Sequence, residues 1–452
     1  MQGEARVKTP GSVLLAGLIA LTLLVIWIVP VWAQIALFGG VVLFLLIHFE
    51  AAGPLHPAAW FSVFCFLYSV NYPLFLLTTG QSYTELPLIL PLNFLALTGF
   101  LVGLILTSSK PMKVPVIPWS AGALRTIILV IMPICAWLVY SVMTSGIGSK
   151  REFIDTARQS GTDSLFLFFQ VITVAYIAYA LRLLQTTGAD RGLRHSFFTL
   201  LGLSVLAVQL LSFGATGERD IILRMGLLIY LCLMAMGRGP AYRFWHFILI
   251  GFAGVYLVGI LQGLKGFLLG DGAEAAVGTN QSIFWNEFAA AGRNLDYILS
   301  RNIARLDGES YVWAVMRYFD FIFPDAMSAT QWYNTIVRND FGDGGTSGWG
   351  FSLVAEAFIN FGPIGIFIAF LFIGLLAAML YRAARGSAFG FLFYLLFIPT
   401  TIYALRADAG NLLTTAFKVN LALVGGVWLI AKCLDLAVRR PREGLALSRG
   451  AK

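Results

Sequence analysis

The sequence predicts an all-α polytopic membrane protein of about twelve transmembrane helices with a large folded loop on one side. Of its 452 residues, 58% are hydrophobic and 12% charged. An average soluble domain carries about 25% charged residues. Apolar runs of bilayer length recur from Gly11 to Leu436, and one span takes about 20 such residues. Basic residues gather in alternate loops, the bias that sets orientation in a membrane.

The predicted spans are 12–29, 32–49, 58–78, 87–108, 119–142, 164–186, 196–213, 220–237, 244–264, 363–383, 388–405 and 409–436. The first run follows MQGEARVKTP and has signal-peptide flanks. A second run follows almost at once and no small-residue cleavage site stands out, so a retained helix is expected. Lys110 and Lys113, Arg191 and Arg194, Arg238 and Arg243, Arg382 and Arg385, and Arg439, Arg440 and Arg442 fall on one parity of loops and in the tail. That parity puts both termini in the cytoplasm. Arg125 and Arg182 lie near the cytoplasmic ends of their runs, where snorkelling accounts for them. The net charge of +8 belongs largely to these loops and the tail. Anionic lipid attracts charge placed there, so no nucleic-acid partner is implied. Cys65, Cys135, Cys232 and Cys433 sit in separate apolar runs without a CxxC pair, as buried thiols do.

Three regions follow. Residues 1–264 carry spans one to nine. Residues 265–351 form one long outer loop. Residues 352–452 carry a re-entrant or interfacial helix, spans ten to twelve and a basic tail. A loop that long is functional or disordered as a rule. This one is not of low complexity and holds Trp285, Tyr297, Tyr311, Trp313, Tyr318, Trp332, Tyr333 and Trp349. Its stretch SIFWNEFAAAGRNLDYILSRNIARL has helical apolar spacing. A folded cap is expected, with one or two helices on the outer membrane surface. Its aromatics fit an interfacial belt and also stacking on sugar rings. No internal repeat stands out.

Arginines recur on the outer parity, against the usual bias: Arg219, Arg317, Arg338 and Arg406. Arginines at the edge of an apolar bundle suit an anionic ligand, with a lipid-linked phosphate or pyrophosphate the natural candidate. In SFGATGERDIILRMGLL, Asp220 can begin a helix and Arg224 falls one turn on, on the same face. Arg219 sits at the helix mouth, where free N–H groups also favour an anion. The plainer reading is a snorkelling arginine with an aspartate partner. Arg224 counts against it, because an ionisable group inside a span defaults to function.

In DFGDGGTSGWGFSLVAEAFINFGPIGIF, a glycine-rich stretch leads into a short apolar helix, Leu353 to Asn360. Gly362 and Pro363 then break the chain before a true span. Glu356 would sit near the outer hydrophobic boundary, as a general base or as an arginine's orienting partner. Asp220 and Asp320 stand behind it as candidates. In RADAGNLLTTAFKVN, Arg406 and Asp408 lie in a short outer loop. Lys418 lies about 13 Å further along the last helix, at 1.5 Å per residue. It is expected to face the bundle interior or a polar cavity, in a buried ion pair or against a ligand. Lys150, Arg151 and Arg158 fit a solvated outer loop, with a lid or phosphate-binding role as the alternative.

GxxxxGK[ST], HExxH and GxSxG motifs are absent, and His48, His56, His195 and His246 map to the cytoplasmic side or near it. No outer acidic pair suggests a metal, and no cofactor is expected.

The order of these segments resembles the O-antigen polymerase family of Wzy-type repeat-unit polymerases. The resemblance rests on Gly217-Glu218-Arg219, the long outer loop, Gly345-Thr346-Ser347, Glu356 and Asn360-Phe361-Gly362. It implies a lipid-phosphosugar glycosyltransferase of GT-C-like architecture in the bacterial inner membrane. Such an enzyme joins undecaprenyl-pyrophosphate-linked oligosaccharide units on the periplasmic face, and a chain-length regulator protein is a possible partner. A sugar hydroxyl attacks the anomeric carbon and lipid pyrophosphate leaves. On this reading Arg219, Arg224 and Arg406 hold the donor pyrophosphate, and Lys418 is a further candidate. Arg317 and Arg338 hold the second carrier or the loop. Glu356 is base or orienter. The alternatives are an O-antigen ligase and a lipid-linked oligosaccharide flippase or transporter. The lack of an outer-face histidine counts against the ligase. The clustering of charge at one face counts against the transporter.

Overall fold

Every regular element among the described residues is helical in the computed structural model. It describes residues 10–80, 85–107, 112–144, 167–187, 199–216, 219–236, 249, 284, 286, 288–301, 303–341 and 350–449. The helices are α1 (Pro10–Val25), α2 (Val31–His48), α3 (Pro57–Thr79), α4 (Leu86–Gly103), α5 (Ala121–Thr144), α6 (Leu167–Thr187), α7 (Leu200–Thr216) and α8 (Arg219–Ala235). Then follow α9 (Ala289–Ser300), α10 (Glu309–Tyr318), α11 (Ala329–Phe341), α12 (Leu353–Gly386) and α13 (Ala388–Ala404). Last come α14 (Ala409–Leu413), a π-helical stretch (Thr414–Asn420) and α15 (Leu421–Arg449).

Seven helices among the described residues are long and apolar enough to cross a membrane: Val31–His48, Pro57–Thr79, Leu86–Gly103, Ala121–Val142, Leu167–Thr187, Leu353–Gly386 and Ala409–Ala437. Four shorter apolar helices accompany them, Val13–Val25, Leu200–Ser212, Arg224–Ala235 and Ala388–Ala404. Each coincides with a span expected from the sequence. The expected span 244–264 lies outside the described residues. The architecture is that of an all-helical, multi-pass membrane protein.

The tightest packing in the bundle joins α4 to α12. Gly99 and Gly103 form a GxxxG pair on α4, and Gly374 faces them from α12. A Cβ at Gly99 would lie 2.4 Å from the Phe367 carbonyl oxygen, and one at Gly374 would lie 2.2 Å from that of Phe100. Between helices in lipid there is no hydrophobic drive, so close backbone approach through small residues supplies the packing. Phe61 and Phe100 stack beside this crossing at 3.6 Å. The Trp60 indole donates to the Tyr394 hydroxyl at 3.0 Å, which donates to the Leu55 carbonyl at 2.6 Å. Buried polar tips therefore find partners.

α12 is two helices. Phe361 (φ −139°, ψ 19°) and Gly362 (φ 66°, ψ −156°) are non-helical. A Gly362 conformation of that kind is open essentially to glycine alone. Pro363 opens the second piece, where its missing N–H costs nothing. Ser352 caps the first piece, its hydroxyl accepting from the Ala355 N–H at 3.3 Å.

Three helices, rather than one or two, occupy the described part of the segment between residues 265 and 351. α11 begins with a capping box. The Gln331 N–H donates to Ser328 Oγ at 3.1 Å, and the Ser328 N–H donates back to Gln331 Oε1 at 2.8 Å. α10 starts after Asp307 (φ 44°) and Gly308 (φ 99°). α9 is sunk into the bundle, with Ala289, Ala291, Gly292, Asn294, Leu295, Asp296 and Ile298 buried. A Cβ on Gly292 would lie 2.8 Å from the Cβ of Tyr72 on α3. Such an approach needs glycine at that position.

Candidate functional site

The first piece of α12 carries Glu356 in its first turn, and the side chain is 0% exposed. Ser310 of α10 donates its hydroxyl to Glu356 Oε1 at 2.7 Å. The Ala409 N–H, at the start of α14, donates to Oε2 at 2.6 Å. Asn360, one turn on, donates to Ser310 Oγ and to the Glu356 carbonyl, each at 2.7 Å, while its own oxygen accepts from the Gly308 N–H at 2.9 Å. Asp408, also 0% exposed, accepts from the Asn411 N–H at 2.7 Å and from the Thr330 N–H at 2.9 Å. These two carboxylates tie α10, α11, α12 and α14 into one unit. Among the described residues no arginine or lysine forms an ion pair with either.

Arg406 is anchored by its backbone to this unit. The Phe351 N–H donates to the Arg406 carbonyl at 3.0 Å. Gly350 holds φ 67°, and a Cβ there would crowd the same carbonyl at 3.1 Å. The Arg406 guanidinium lies over the Tyr403 ring, 5.0 Å from its centre, a cation–π placement. The side chain is half-buried.

Lys418 departs from the expectation of a buried position. Its ammonium meets Asp320 at 2.5 Å, with the two side chains 40% and 54% exposed. The segment after α10 folds down along the π-helical stretch, so distance along the helix overstates the depth of Lys418. The Lys418 hydrogen bond, with the Arg317 charge as a smaller contribution, holds the Asp320 carboxyl below its ordinary range. Asp320 is thus committed to Lys418 and is a weak base. Arg317 and Lys418 share one exposed charge cluster.

Arg224 is half-buried on α8, which packs on α13. Arg219 and Asp220 open α8 and Arg338 lies on α11, but their side chains fall outside the described ones. Lys150, Arg151 and Arg158, the Gly345-Thr346-Ser347 stretch, and Trp285 and Trp349 also lie outside the described residues. Of the cysteines expected to be buried, Cys433 is exposed and the other three are buried.

A second polar cluster is one that sequence reasoning passes over. The Tyr72 hydroxyl of α3 donates to Asp296 Oδ2 at 2.9 Å. Asn294 donates to the Phe351 carbonyl at 3.2 Å and accepts from the Tyr333 hydroxyl at 3.1 Å. Phe351, whose N–H meets the Arg406 carbonyl, therefore joins this cluster to Arg406. The signal in the sequence was the run Arg293-Asn294-Leu295-Asp296, which sets three polar residues in the middle of a short helix.

The O-antigen polysaccharide polymerase Wzy family model matches residues 324–434. That stretch holds α11 to α14, the π-helical stretch and part of α15, with Glu356, Asn360, Arg406, Asp408 and Lys418. No curated protein matches the chain, and no solved structure matches it. The match supports an O-antigen polymerase at the level of the family.

Proposed function

We propose that this chain joins undecaprenyl-pyrophosphate-linked oligosaccharide repeat units into a polysaccharide at the periplasmic face of the bacterial inner membrane. Both termini then face the cytoplasm, and α9 to α11 form the periplasmic cap of a GT-C-like glycosyltransferase. The observation that carries this reading is the overlap of the family match with the unit built on Glu356, Asp408 and Arg406. Val312, Val315, Phe321 and Ile322 are exposed on α10 and just beyond, as are Ile364 and Ile368 on α12. Exposed apolar side chains of this kind fit the outer leaflet.

The chemistry follows from the charges. A hydroxyl oxygen of the acceptor unit attacks the anomeric carbon of the donor glycan. The bond from that carbon to the pyrophosphate oxygen breaks, and the electron pair leaves with the pyrophosphate. Arg406, Arg219 and Arg224 stabilise that developing charge. Arg317, Arg338 and Lys418 hold the second carrier or secure the cap. Glu356 acts as an orienter: its bond to the Ala409 N–H fixes the turn that presents Arg406. Asp220 opens the helix that carries Arg219. With so good a leaving group, positioning supplies much of the rate. Neither a metal nor a cofactor has a role in this scheme, and chain length is left to a separate regulator protein.

Purified protein in lipid vesicles, given lipid-linked repeat units and no nucleotide sugar, is expected to yield a ladder of unit multiples. Arg406→Ala and Arg219→Ala should each lower that yield roughly 100-fold or more while protein level and melting temperature hold. Movement of the substrate across the bilayer without a ladder would make the chain a transporter. Transfer of finished glycan to a second lipid, without a ladder, would make it a ligase.

A further inference from the structure

The scheme so far leaves the proton of the acceptor hydroxyl without a destination. Glu356 is poorly placed to take it, because both oxygens already accept hydrogen bonds. Asp408 is in the same position. Asp320 is exposed and paired with Lys418.

Asp296 differs from all three. It is 4% exposed and sits at the heart of α9. Tyr72 occupies one oxygen, Oδ2, at 2.9 Å. The other, Oδ1, is buried and has no hydrogen-bond partner among the described residues. A carboxylate oxygen in that condition costs about 1–3 kcal/mol or more if nothing ever meets it. A buried oxygen of that kind calls for a partner atom, from water, an ion or a ligand.

Its surroundings fit a sugar bound beside an anion. Arg293 lies one turn earlier on the same helix face, close enough for its charge to act on the Tyr333 and Tyr72 phenols. Tyr297 and Tyr333 meet edge to face at 5.8 Å, and Tyr333 packs on Phe351 at 4.7 Å. The Phe351 N–H is bound to the Arg406 carbonyl. One residue, Phe351, therefore links the carboxylate's helix to the arginine assigned to the leaving pyrophosphate.

We propose that Asp296 is the group that receives the acceptor sugar: Oδ1 accepts the hydrogen of the attacking hydroxyl and takes its proton as the new glycosidic bond forms. This rests on the polymerase reading above. The hydroxyl oxygen gains the bond to the anomeric carbon, the pyrophosphate leaves with its electron pair, and the proton on Asp296 passes to water before the next cycle. Tyr72 holds the carboxylate in register.

The proposal fixes a pH dependence. The groups acting on Asp296 are Tyr72 on α3 and Glu85 at the start of α4, while Tyr333 on α11 senses its charge and Arg293 on its own helix acts on both phenols. Burial first raises the Asp296 carboxyl above its ordinary range, the Tyr72 hydrogen bond opposes that, and the Glu85 charge adds to it. A base must be ionised to work. Activity should therefore rise with pH through a limb above the usual carboxylate range. Removing the Tyr72 hydroxyl withdraws a bond that favours the ionised form, so Tyr72→Phe should move that limb to higher pH.

The test uses the full-length protein in vesicles with lipid-linked repeat units, measuring ladder formation against pH. Asp296→Asn keeps the size of the side chain and an oxygen for Tyr72. It should lower the rate at least about 100-fold, with the melting temperature and the binding of lipid-linked units retained. Wild-type rates from a folded Asp296→Asn protein would overturn the assignment. If that variant does not fold, Tyr72→Phe decides, and an unmoved acidic limb would overturn it. No ladder from the wild-type protein would instead remove the polymerase reading, and this inference with it.

Discussion

Glu356→Gln protein is expected to form ladders at a tenth or more of the wild-type rate, and Glu356→Ala protein is expected to fail to accumulate. The contrast follows from the hydrogen bonds. Glutamine offers one oxygen to the Ala409 N–H, which now donates to Oε2 at 2.6 Å. Its amide can donate to the Ser310 hydroxyl, now 2.7 Å from Oε1. Serine oxygen has two lone pairs, so it can still accept from Asn360. Alanine offers neither contact. It leaves the Ala409 N–H and the buried Ser310 hydroxyl without acceptors. Each such group costs about 1–3 kcal/mol, and the emptied volume adds to that. The sum is a large part of the roughly 5–15 kcal/mol that holds a typical domain folded. If Glu356 were the general base, the order would invert. Glu356→Gln would then be well folded and slower by about 100-fold or more. Protein yield, melting temperature and ladder rate, taken together on the two variants, separate these outcomes.

The fold was legible in the sequence wherever a single physical scale decides it. A bilayer asks for apolar runs of one length, so α2 to α6 and α13 fall where composition alone puts them. The break in α12 was legible for a different reason, because Gly362 followed by Pro363 cannot continue a helix. Two further signals were present but carry weight only with a partner in view. Ser328 and Gln331 have the spacing of a capping box, and they start α11 once each side chain reaches the other's backbone N–H. Gly99 and Gly103 have the spacing of a helix-crossing motif, which means little until Gly374 is seen opposite.

The candidate site was legible in part. Arg406 and Glu356 attract notice because charge at an apolar boundary is costly, and both lie on the unit within the family match. What the sequence does not carry is which neutral groups satisfy them. Ser310 and the Ala409 N–H reach Glu356 across 46 and 53 residues of chain. Lys418 shows the opposite failure. A rise of 1.5 Å per residue measures its depth along one helix, but the segment holding Asp320 descends to meet it. Asp296 was hidden because its helix reads as amphipathic. Only packing shows that its polar residues face Tyr72, Tyr333 and the Phe351 peptide rather than water.

Among the described glycines, Gly374→Ala is expected to be the most damaging substitution by alanine. In a helix interior, alanine is favoured over glycine by about 1 kcal/mol, so propensity alone predicts a gain. The structure predicts a loss. The new Cβ would sit 2.2 Å from the Phe100 carbonyl oxygen and 3.0 Å from its carbon. Both are backbone atoms, and no rotamer change moves them aside. α4 and α12 must separate, which opens the contacts around Phe61, Phe100 and Phe370. Overpacking of this kind costs roughly 1–3 kcal/mol even when side chains can yield, and here they cannot. The loss reaches the site as well, since the first piece of the same helix carries Glu356. Gly103→Ala should behave alike, with 2.4 Å to the Leu371 carbonyl oxygen. Gly425→Ala on α15 is the control, because a Cβ there meets nothing within 4 Å. The three variants are to be compared by size-exclusion profile and melting temperature in one detergent. Gly374→Ala at or above the wild-type melting temperature would mean that α4 and α12 do not cross at this contact. A drop for Gly374→Ala and Gly103→Ala, with Gly425→Ala unchanged or slightly raised, would fix the crossing that positions the first half of α12 beneath the cap.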